Sequence, residues 1–331
     1  MLRKLSIRSE SWPLAAPFRI SRGTKVAAEV IVVEIEQAGM RGRGEAVPYA
    51  RYGETVDSVC AQVQRVATNV VNGIARKDLA HLMPPGAARN AVDCALWDLF
   101  ARLSGRSVAS QLGFGPLPTM PTALTVSLDT PEKMAEATAK IASASVIKVK
   151  VDASNPEAQL RAVRAVAPAA RLIVDPNESW TLDILREMQP VLVDANVDLI
   201  EQPLPAGQDD ALEGFRAERP LCADESCHVA EDLPKLQGRY RAVNIKLDKS
   251  GGLTGALQLL QAARSQGFRV MVGCMVCTSL GIAPALHVAR HADFADLDGP
   301  LWLKQDHPGG VHHQGSLLSP PDPALWGGSD P

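Results

Sequence analysis

The segment VIKVKVD, residues 146–152, carries the pattern that decides the fold. Its β-branched residues alternate with Lys148, Lys150 and Asp152, and this alternation predicts a short β-strand. Side chains two residues apart on a strand lie on the same face, so both lysines point the same way. Two ammonium groups inside a sealed apolar core would repel each other and lose their hydration. The pair therefore indicates a strand end that faces a polar cavity.

Seven other segments resemble this one, because each is short, apolar and ends in polar or small residues, and helical patterns separate them. They are TALTVSL (122–128), RLIVDPN (171–177), DLIEQPL (198–204), LCADES (221–226), AVNIKLD (242–248), RVMVGCM (269–275) and FADLDG (294–299). A repeat of one strand and one helix predicts a parallel sheet. Eight such strands favour a closed α/β barrel of the TIM type. The glycine-rich segment at 251–256 lacks the phosphate-loop spacing that an open doubly wound sheet usually carries.

The first third of the chain has a different pattern, which predicts a mixed α+β unit. EVIVVEIEQ (29–37) reads as a strand, and AARNAVDCALWDLFARLSG (87–105) reads as an amphipathic helix that stops at Gly105. GRGEAVPYARYGET (42–55) reads as a loop, and GFGPLPTMP (113–121) reads as a linker because it is rich in glycine and proline.

Composition limits the classes of partner. The formal net charge is −3, which gives no electrostatic case for nucleic acid or an anionic membrane. No apolar run approaches the length of a membrane helix, and the first residues lack the apolar core of a signal peptide. We therefore expect a cytoplasmic protein that binds neither nucleic acid nor a membrane; a homo-oligomer is possible. Six cysteines are few for 331 residues, and we expect reduced core thiols rather than a zinc site.

Charged residues stand near the ends of five consecutive predicted strands. Asp175, Glu201 and Asp224 come from three neighbouring strands, while Lys150 precedes them and Lys246 follows them. Catalytic groups of such barrels lie at the carboxyl ends of the strands, so we expect all five to meet at one mouth. Three carboxylates offer only hard oxygen ligands, which predicts a divalent cation, Mg²⁺. A lysine on each side can act as a general acid or base.

This order of residues, with KxK first, resembles the enolase superfamily in its muconate-lactonising subgroup. The resemblance is supported by AARNAVDCALWDL, VDPNESW, IEQPLP, CADESCH and NIKLDKSGG, and it runs through about residue 304. Within that superfamily, the chain resembles most the dipeptide epimerases that interconvert L-Ala-D-Glu and L-Ala-L-Glu, on the evidence of GCMVCTSLG and FADLDGPLWL. This resemblance implies a (β/α)7β TIM-like barrel at 119–304, an N-terminal α+β capping domain at 1–118 and a C-terminal segment, 305–331, that returns to the capping domain.

The resemblance also implies roles for the charged residues. Mg²⁺ would be held by Asp175, Glu201 and Asp224, and would bind the α-carboxylate of the dipeptide's glutamyl residue. Lys150 and Lys246 would be the two acid/base groups, one on each face of the α-carbon. The reaction implied is a two-base 1,1-proton transfer through an enediolate, and it would serve murein peptide recycling. Lys148 would be an electrostatic helper beside the substrate carboxylate.

Substrate-binding residues follow from the same resemblance. Asp296 and Asp298 stand two residues apart and would receive the α-ammonium group of the dipeptide. Arg22 would meet the side-chain carboxylate of glutamate. Thr125 and Cys274, near the ends of their strands, would touch the substrate backbone.

The sequence also allows two other functions. One is a different reaction of the same scaffold, either a cycloisomerase or an acid-sugar dehydratase; the dehydratases usually carry a histidine where this chain has GCMVC. The other is a barrel that binds a metal or ligand without catalysis.

Overall fold

The computed structural model describes residues 2–328 and 330. The N-terminal part is an antiparallel sheet in the order β1-β2-β3, with helices packed on one face. Its strands are β1 (Lys4–Ile20), β2 (Gly23–Gln37) and β3 (Met40–Ala46), and its helices are α1 (Val56–Arg65), α2 (Ala67–Val71), α3 (Ala87–Ser104) and α4 (Val108–Gln111). The predicted strand at 29–37 lies within β2, and α3 ends where Gly105 adopts a left-handed conformation with φ 63°.

The loop predicted over residues 42–55 is wrong in its first part, because residues up to Ala46 form β3. Gly42 and Gly44 weaken the strand pattern in the sequence. The structure gives their reason: a Cβ atom on Gly44 would overlap the carbonyl oxygen of Ala91, and one on Gly42 would overlap that of Ala95. The two glycines therefore let α3 pack directly against the backbone of β3.

The second part is a barrel of eight parallel strands, as the sequence predicted. The strands are β5 (Leu124–Val126), β6 (Val146–Lys150), β7 (Arg171–Asp175), β8 (Val197–Glu201), β9 (Leu221–Ala223), β10 (Ala242–Ile245), β11 (Arg269–Gly273) and β12 (Phe294–Asp296). Each pairs with its sequence neighbour, and the barrel closes where the Ala123 N–H donates to the Ala295 carbonyl at 2.8 Å. The surrounding helices are α5 (Pro131–Ala139), α6 (Pro156–Val166), α7 (Leu182–Asp194), α8 (Leu233–Leu236), α9 (Leu247–Ser250), α10 (Leu253–Ser265) and α11 (Ser279–Ala289).

An apolar layer fills the barrel interior beneath its carboxyl end. It takes one buried residue from each strand or the residue beside it: Ala123, Val146, Ile173, Leu199, Cys222, Ala242, Met271 and Phe294. Because side chains alternate along a strand, the residue two positions later lies on the same inner face. Adding two to each number gives Thr125, Lys148, Asp175, Glu201, Asp224, Asn244, Gly273 and Asp296. The strand period therefore places the polar residues directly above a sealed floor.

The remaining residues form a small sheet and a tail. The sheet consists of β4 (Met120–Pro121), β13 (His312–Gln314) and β14 (Leu317–Ser319), and short 3-10 helices occur at Ala50–Tyr52, Arg76–His81, Asp209–Leu212, Ala230–Asp232 and Gly299–Trp302. Trp326 donates to the Cys94 carbonyl of α3 at 3.2 Å. Met1, Ser329 and Pro331 lie outside the described residues, and the two boundaries between the three predicted segments stay a prediction. None of the helices in residues 2–328 and 330 combines the length and hydropathy needed to cross a membrane.

Candidate active site

The barrel mouth collects the residues that the sequence singled out. Lys150, Asp175 and Glu201 end β6, β7 and β8, while Asp224 and Lys246 directly follow β9 and β10. The three carboxylates are fully buried. Above them one pocket is lined by Arg22, Thr125, Lys148, Lys150, Lys246, Cys274, Asp296 and Asp298, together with residues that sequence reasoning missed.

The two lysines of β6 are accommodated by a carboxylate that both contact. Asp175 Oδ2 lies 2.6 Å from Lys150 Nζ and 3.1 Å from Lys148 Nζ. Lys148 Nζ is also 2.7 Å from Glu201 and 2.7 Å from Asp296. Burial by itself would lower the pKa of Lys148, but these three carboxylates raise it well above its usual range. Lys148 is therefore a buried cation at the centre of an acidic cluster.

Lys150 and Lys246 occupy opposite walls of the mouth. Lys150 ends β6 and Lys246 follows β10, and three strands separate β6 from β10 in either direction around the eight-stranded barrel. Lys246 Nζ contacts Asp224 Oδ2 at 2.8 Å. Two amines thus face one pocket from opposite sides.

Each carboxylate is also held by a donor that sequence reasoning missed. The Asn177 N–H donates to Asp175 Oδ1 at 2.9 Å, Asn244 Nδ2 donates to Glu201 Oε1 at 2.8 Å, and Lys249 Nζ donates to Asp224 Oδ1 at 2.7 Å. The sequence pattern could have identified Asn244, because it stands two residues before Lys246 and so lies on the same face of β10. No sequence pattern could have identified Lys249, since its contact with Asp224 depends on the turn after β9.

Burial and nearby charges shift the pKa values of the three carboxyl groups in different directions. Burial raises the pKa of Glu201 to about 7, and the nearby Asp175 adds to the rise. Burial acts the same way on Asp175, but Lys150 and Lys148 outweigh it and lower its pKa to about 2. Lys246 and Lys249 likewise hold the pKa of Asp224 well below its usual range, although the group is buried.

The donor set fits a hard divalent cation. All three carboxylates supply oxygen only, and Glu201 Oε2 is buried and faces the pocket, where the ammonium group of Lys148 lies 2.7 Å away. Within residues 2–328 and 330, no three acidic, histidine or cysteine side chains stand close enough to form a ready metal cluster. The ammonium group of Lys148 lies between Asp175 and Glu201 instead.

The turn between β1 and β2 and the first residues of β2 bring two cations, Arg22 and Lys25, to the pocket. Arg22 donates to the carboxylates of Glu178 at 2.9 Å and Glu225 at 2.7 Å, and to the hydroxyl of Tyr49 at 3.1 Å. Lys25 lies 5.0 Å above the Tyr49 ring and also lines the pocket. Among residues 2–328 and 330, no carboxylate forms an ion pair with Lys25, and burial lowers its pKa. Sequence reasoning missed this lysine because its position at the pocket depends on where the β1–β2 hairpin packs against the barrel.

Two further carboxyl groups stand on the wall beside β5. Asp298 Oδ2 accepts the Thr125 N–H at 2.7 Å. Asp296 Oδ1 is buried without a hydrogen-bond partner among the described residues. Burial, with the charge of the neighbouring Asp296, raises the pKa of Asp298 to about 6. Cys274 is half-buried at the mouth of the same pocket.

The eight-stranded barrel with acidic residues and lysines at its mouth, together with the antiparallel N-terminal sheet, is the architecture of one family of enzymes. Residues 132–322 match the family described as enolase C-terminal domain-like. Residues 2–113 match the N-terminal domain of the mandelate racemase and muconate lactonizing enzyme family. The chain belongs to this family of the enolase superfamily.

Two relatives with a named activity are an epimerase and a racemase. The chain is 48% identical to the L-Ala-D/L-Glu epimerase of Escherichia coli K12, over 92% of this chain and 96% of that protein. It is 44% identical to an N-acetyl-D-glutamate racemase of Pseudoalteromonas, over 91% of this chain and 96% of that protein.

Solved structures agree with this family. An enolase family member from Agrobacterium tumefaciens, described as having homology to dipeptide epimerases, was solved with sodium and L-Ala-L-Glu. It superposes with a TM-score of 0.97 at 48% identity, covering 98% of this chain and all of that one. A dipeptide epimerase from Cytophaga hutchinsonii, complexed with Mg and D-Ala-L-Val, superposes with a TM-score of 0.90 at 28% identity, covering 97% of this chain and 94% of that one.

Proposed function

We propose that this enzyme epimerises L-Ala-D-Glu to L-Ala-L-Glu by moving the glutamyl α-proton between two lysines. The observation that carries the proposal is the placement of Lys150 and Lys246 on opposite walls of one pocket. One amine, as the free base, takes the α-proton from one face of the carbon. The opposite ammonium group returns a proton to the other face, so the centre inverts and no proton is gained or lost overall.

The acidic cluster and Lys148 prepare the substrate's α-carboxylate for this transfer. When Mg²⁺ is bound, Asp175, Glu201 and Asp224 would hold it, and its charge would favour loss of the α-proton. Lys148, buried 2.7 Å from Glu201, adds a fixed positive charge in the same place. The apolar floor of the barrel keeps bulk water away from the cluster on its lower side.

Charge complementarity supports a dipeptide with a glutamate side chain. Asp296 and Asp298 present two carboxyl groups to the substrate's α-ammonium group. Arg22 already contacts two carboxylates, whereas Lys25 reaches the same pocket without one. We therefore add Lys25 to Arg22 as a residue that meets the side-chain carboxylate. Thr125 and Cys274 line the space between these two ends.

The test is α-proton exchange in D₂O. The wild-type enzyme should incorporate deuterium at the glutamyl α-carbon from both L-Ala-D-Glu and L-Ala-L-Glu. Lys150→Ala and Lys246→Ala should each lose net epimerisation by at least about a hundredfold, because each removes one of the two acid/base groups. Lys133→Ala is the matched control, since its ammonium group is largely exposed on α5. Wild-type turnover by either site variant would refute the two-base scheme.

The Pseudoalteromonas relative makes N-acetyl-glutamate the second candidate substrate. An acetylated amine carries no charge, so it cannot compensate the buried carboxyl groups of Asp296 and Asp298. We therefore expect kcat/KM for L-Ala-D-Glu to exceed that for N-acetyl-D-glutamate by at least about tenfold. The reverse order would assign the chain to N-acylglutamate racemisation. A role in murein peptide recycling and a cytoplasmic location are further parts of the proposal, supported by the substrate chemistry and by the sequence respectively.

A further inference from the structure

Asp175, Glu201 and Asp224 share one arrangement of their carboxylate oxygens. One oxygen of each accepts a hydrogen bond from a fixed donor, respectively the Asn177 N–H, Asn244 Nδ2 and Lys249 Nζ. The other oxygen of each faces a lysine ammonium group of the pocket, at 2.6 Å for Asp175, 2.7 Å for Glu201 and 2.8 Å for Asp224. Asp175 Oδ2 also accepts a hydrogen bond from Asn177 Nδ2 at 3.2 Å, whereas Glu201 and Asp224 each have one oxygen held by the fixed donor and one oxygen directed at the pocket.

The donor to Asp224 is itself immobilised. Lys249 is buried, and its ammonium group also donates to the carbonyls of Asp224 at 2.5 Å, Cys227 at 2.8 Å and Asn244 at 2.9 Å. The three N–H donors of this ammonium group are shared among four acceptors, so the group cannot move without breaking several hydrogen bonds. Lys249 thus fixes the rotation of the Asp224 carboxylate.

The donor to Glu201 occupies a space that the neighbouring strand keeps clear. Asn244 is fully buried on the inner face of β10. Gly273 stands beside it on β11, and a Cβ atom there would lie 2.8 Å from Asn244 Oδ1 and 2.9 Å from Nδ2. Real Cβ contacts are not this short, so the position of the Asn244 amide requires glycine at 273.

We propose that Asn244 and Lys249 are positioning residues that make the cation site selective for Mg²⁺ over Ca²⁺. Mg²⁺ requires a compact octahedron, and carboxylates serve it through one oxygen each. Ca²⁺ accepts six to eight oxygens and commonly takes both oxygens of a carboxylate. By occupying one oxygen of Glu201 and one of Asp224, the two donors withhold the second oxygen that Ca²⁺ would use. This inference rests on the proposed function, which assigns the cation to these carboxylates.

The experiment measures cation binding and needs no turnover. Substrate-free wild type, Asn244→Ala and Lys249→Met are each titrated calorimetrically with Mg²⁺ and, separately, with Ca²⁺. Removing outer contacts of this kind typically costs 10- to 100-fold in metal affinity. We expect the Mg²⁺ affinity to fall by that factor and the ratio of Ca²⁺ to Mg²⁺ affinity to rise by at least about tenfold. The ratio is decisive because the loss of Lys249's charge acts on both divalent cations alike.

Ser250→Ala is the matched control, because within the described residues this buried hydroxyl bonds to the Leu247 and Gly252 carbonyls and not to the three carboxylates. Its affinity ratio should equal that of the wild type. If the wild type binds neither cation, the cation assignment of the proposed function fails. If the wild type binds Mg²⁺ and Asn244→Ala leaves the ratio unchanged, the selectivity role is overturned and the proposed function stands. Circular dichroism checks folding, and Asn244→Ala decides the question alone where Lys249→Met does not fold.

Discussion

Glu45 joins the N-terminal sheet to the barrel and should give the protein a pH-dependent stability. Its carboxyl group lies on β3 with 1% exposure, and it accepts hydrogen bonds from the Thr278 N–H at 2.9 Å and from the Thr278 hydroxyl. Thr278 is the residue before α11. Burial raises the pKa of Glu45 to about 8; the bonds from Thr278 oppose the rise, while Asp248 and Glu10 add to it.

The size and sign of the effect follow from this pKa. The folded state holds the proton up to about pH 8, whereas the unfolded chain releases it near 4.5. Stability from Glu45 is therefore complete below about pH 4.5 and is lost as the pH rises through 8. At roughly 1.4 kcal/mol per pH unit, the free energy of unfolding falls by about 5 kcal/mol over the whole range from about pH 4.5 to 8. About 2.5 kcal/mol of this loss falls between pH 5 and 7.

Glu45→Gln tests this reasoning, because the amide oxygen still accepts from the Thr278 N–H and the amide NH2 group donates to the Thr278 hydroxyl oxygen. Urea unfolding at pH 5, 6 and 7, followed by circular dichroism, gives the free energy of unfolding. Between pH 5 and 7 the wild type should lose about 2.5 kcal/mol relative to the variant. Glu213→Gln, whose side chain is 80% exposed, should follow the wild type. Parallel curves for wild type and Glu45→Gln would refute the prediction.

Two other substitutions test the pocket and the packing. Lys25→Ala should raise KM for L-Ala-D-Glu by about 10- to 100-fold with little change in kcat, since it removes a charged partner of the substrate side chain; an unchanged KM, or an equal effect of the exposed Lys4→Ala, would contradict this. Gly44→Ala should lower the free energy of unfolding by about 1–3 kcal/mol because its Cβ atom meets the Ala91 carbonyl. Gly115→Ala, with no atom within 4 Å, is the control in the same urea titration, and equal midpoints would refute the clash.

Much of the barrel could be predicted because strand period and strand spacing are local properties of a sequence. Alternation around Lys148 and Lys150 gives a strand and the common direction of two side chains. Repetition of that pattern then brings the ends of eight strands together. The same alternation placed Asn244 on the inner face, so this residue was available to the sequence reasoning that missed it.

The rest could not be predicted because it depends on distant backbone. β3 was mistaken for a loop since glycine weakens a strand pattern, and only the approach of α3 explains Gly42 and Gly44. Lys249 belongs to the site through three backbone carbonyls whose positions are set by turns. Lys25 faces the pocket because the β1–β2 hairpin, with Lys25 near the start of β2, lies at the barrel mouth.

The pairing register explains why the two lysines of β6 coexist, which strand period alone does not. In the parallel register Lys150 stands opposite Asp175, and Lys148 stands opposite Ile173, two residues before that carboxylate. Asp175 is therefore close to both ammonium groups, and Glu201 on β8 lies within reach of Lys148. A slip of one residue would turn Asp175 to the outer face and leave two buried cations without this partner. The charges therefore favour the register, and the register places the lysines where the proposed proton transfer requires them.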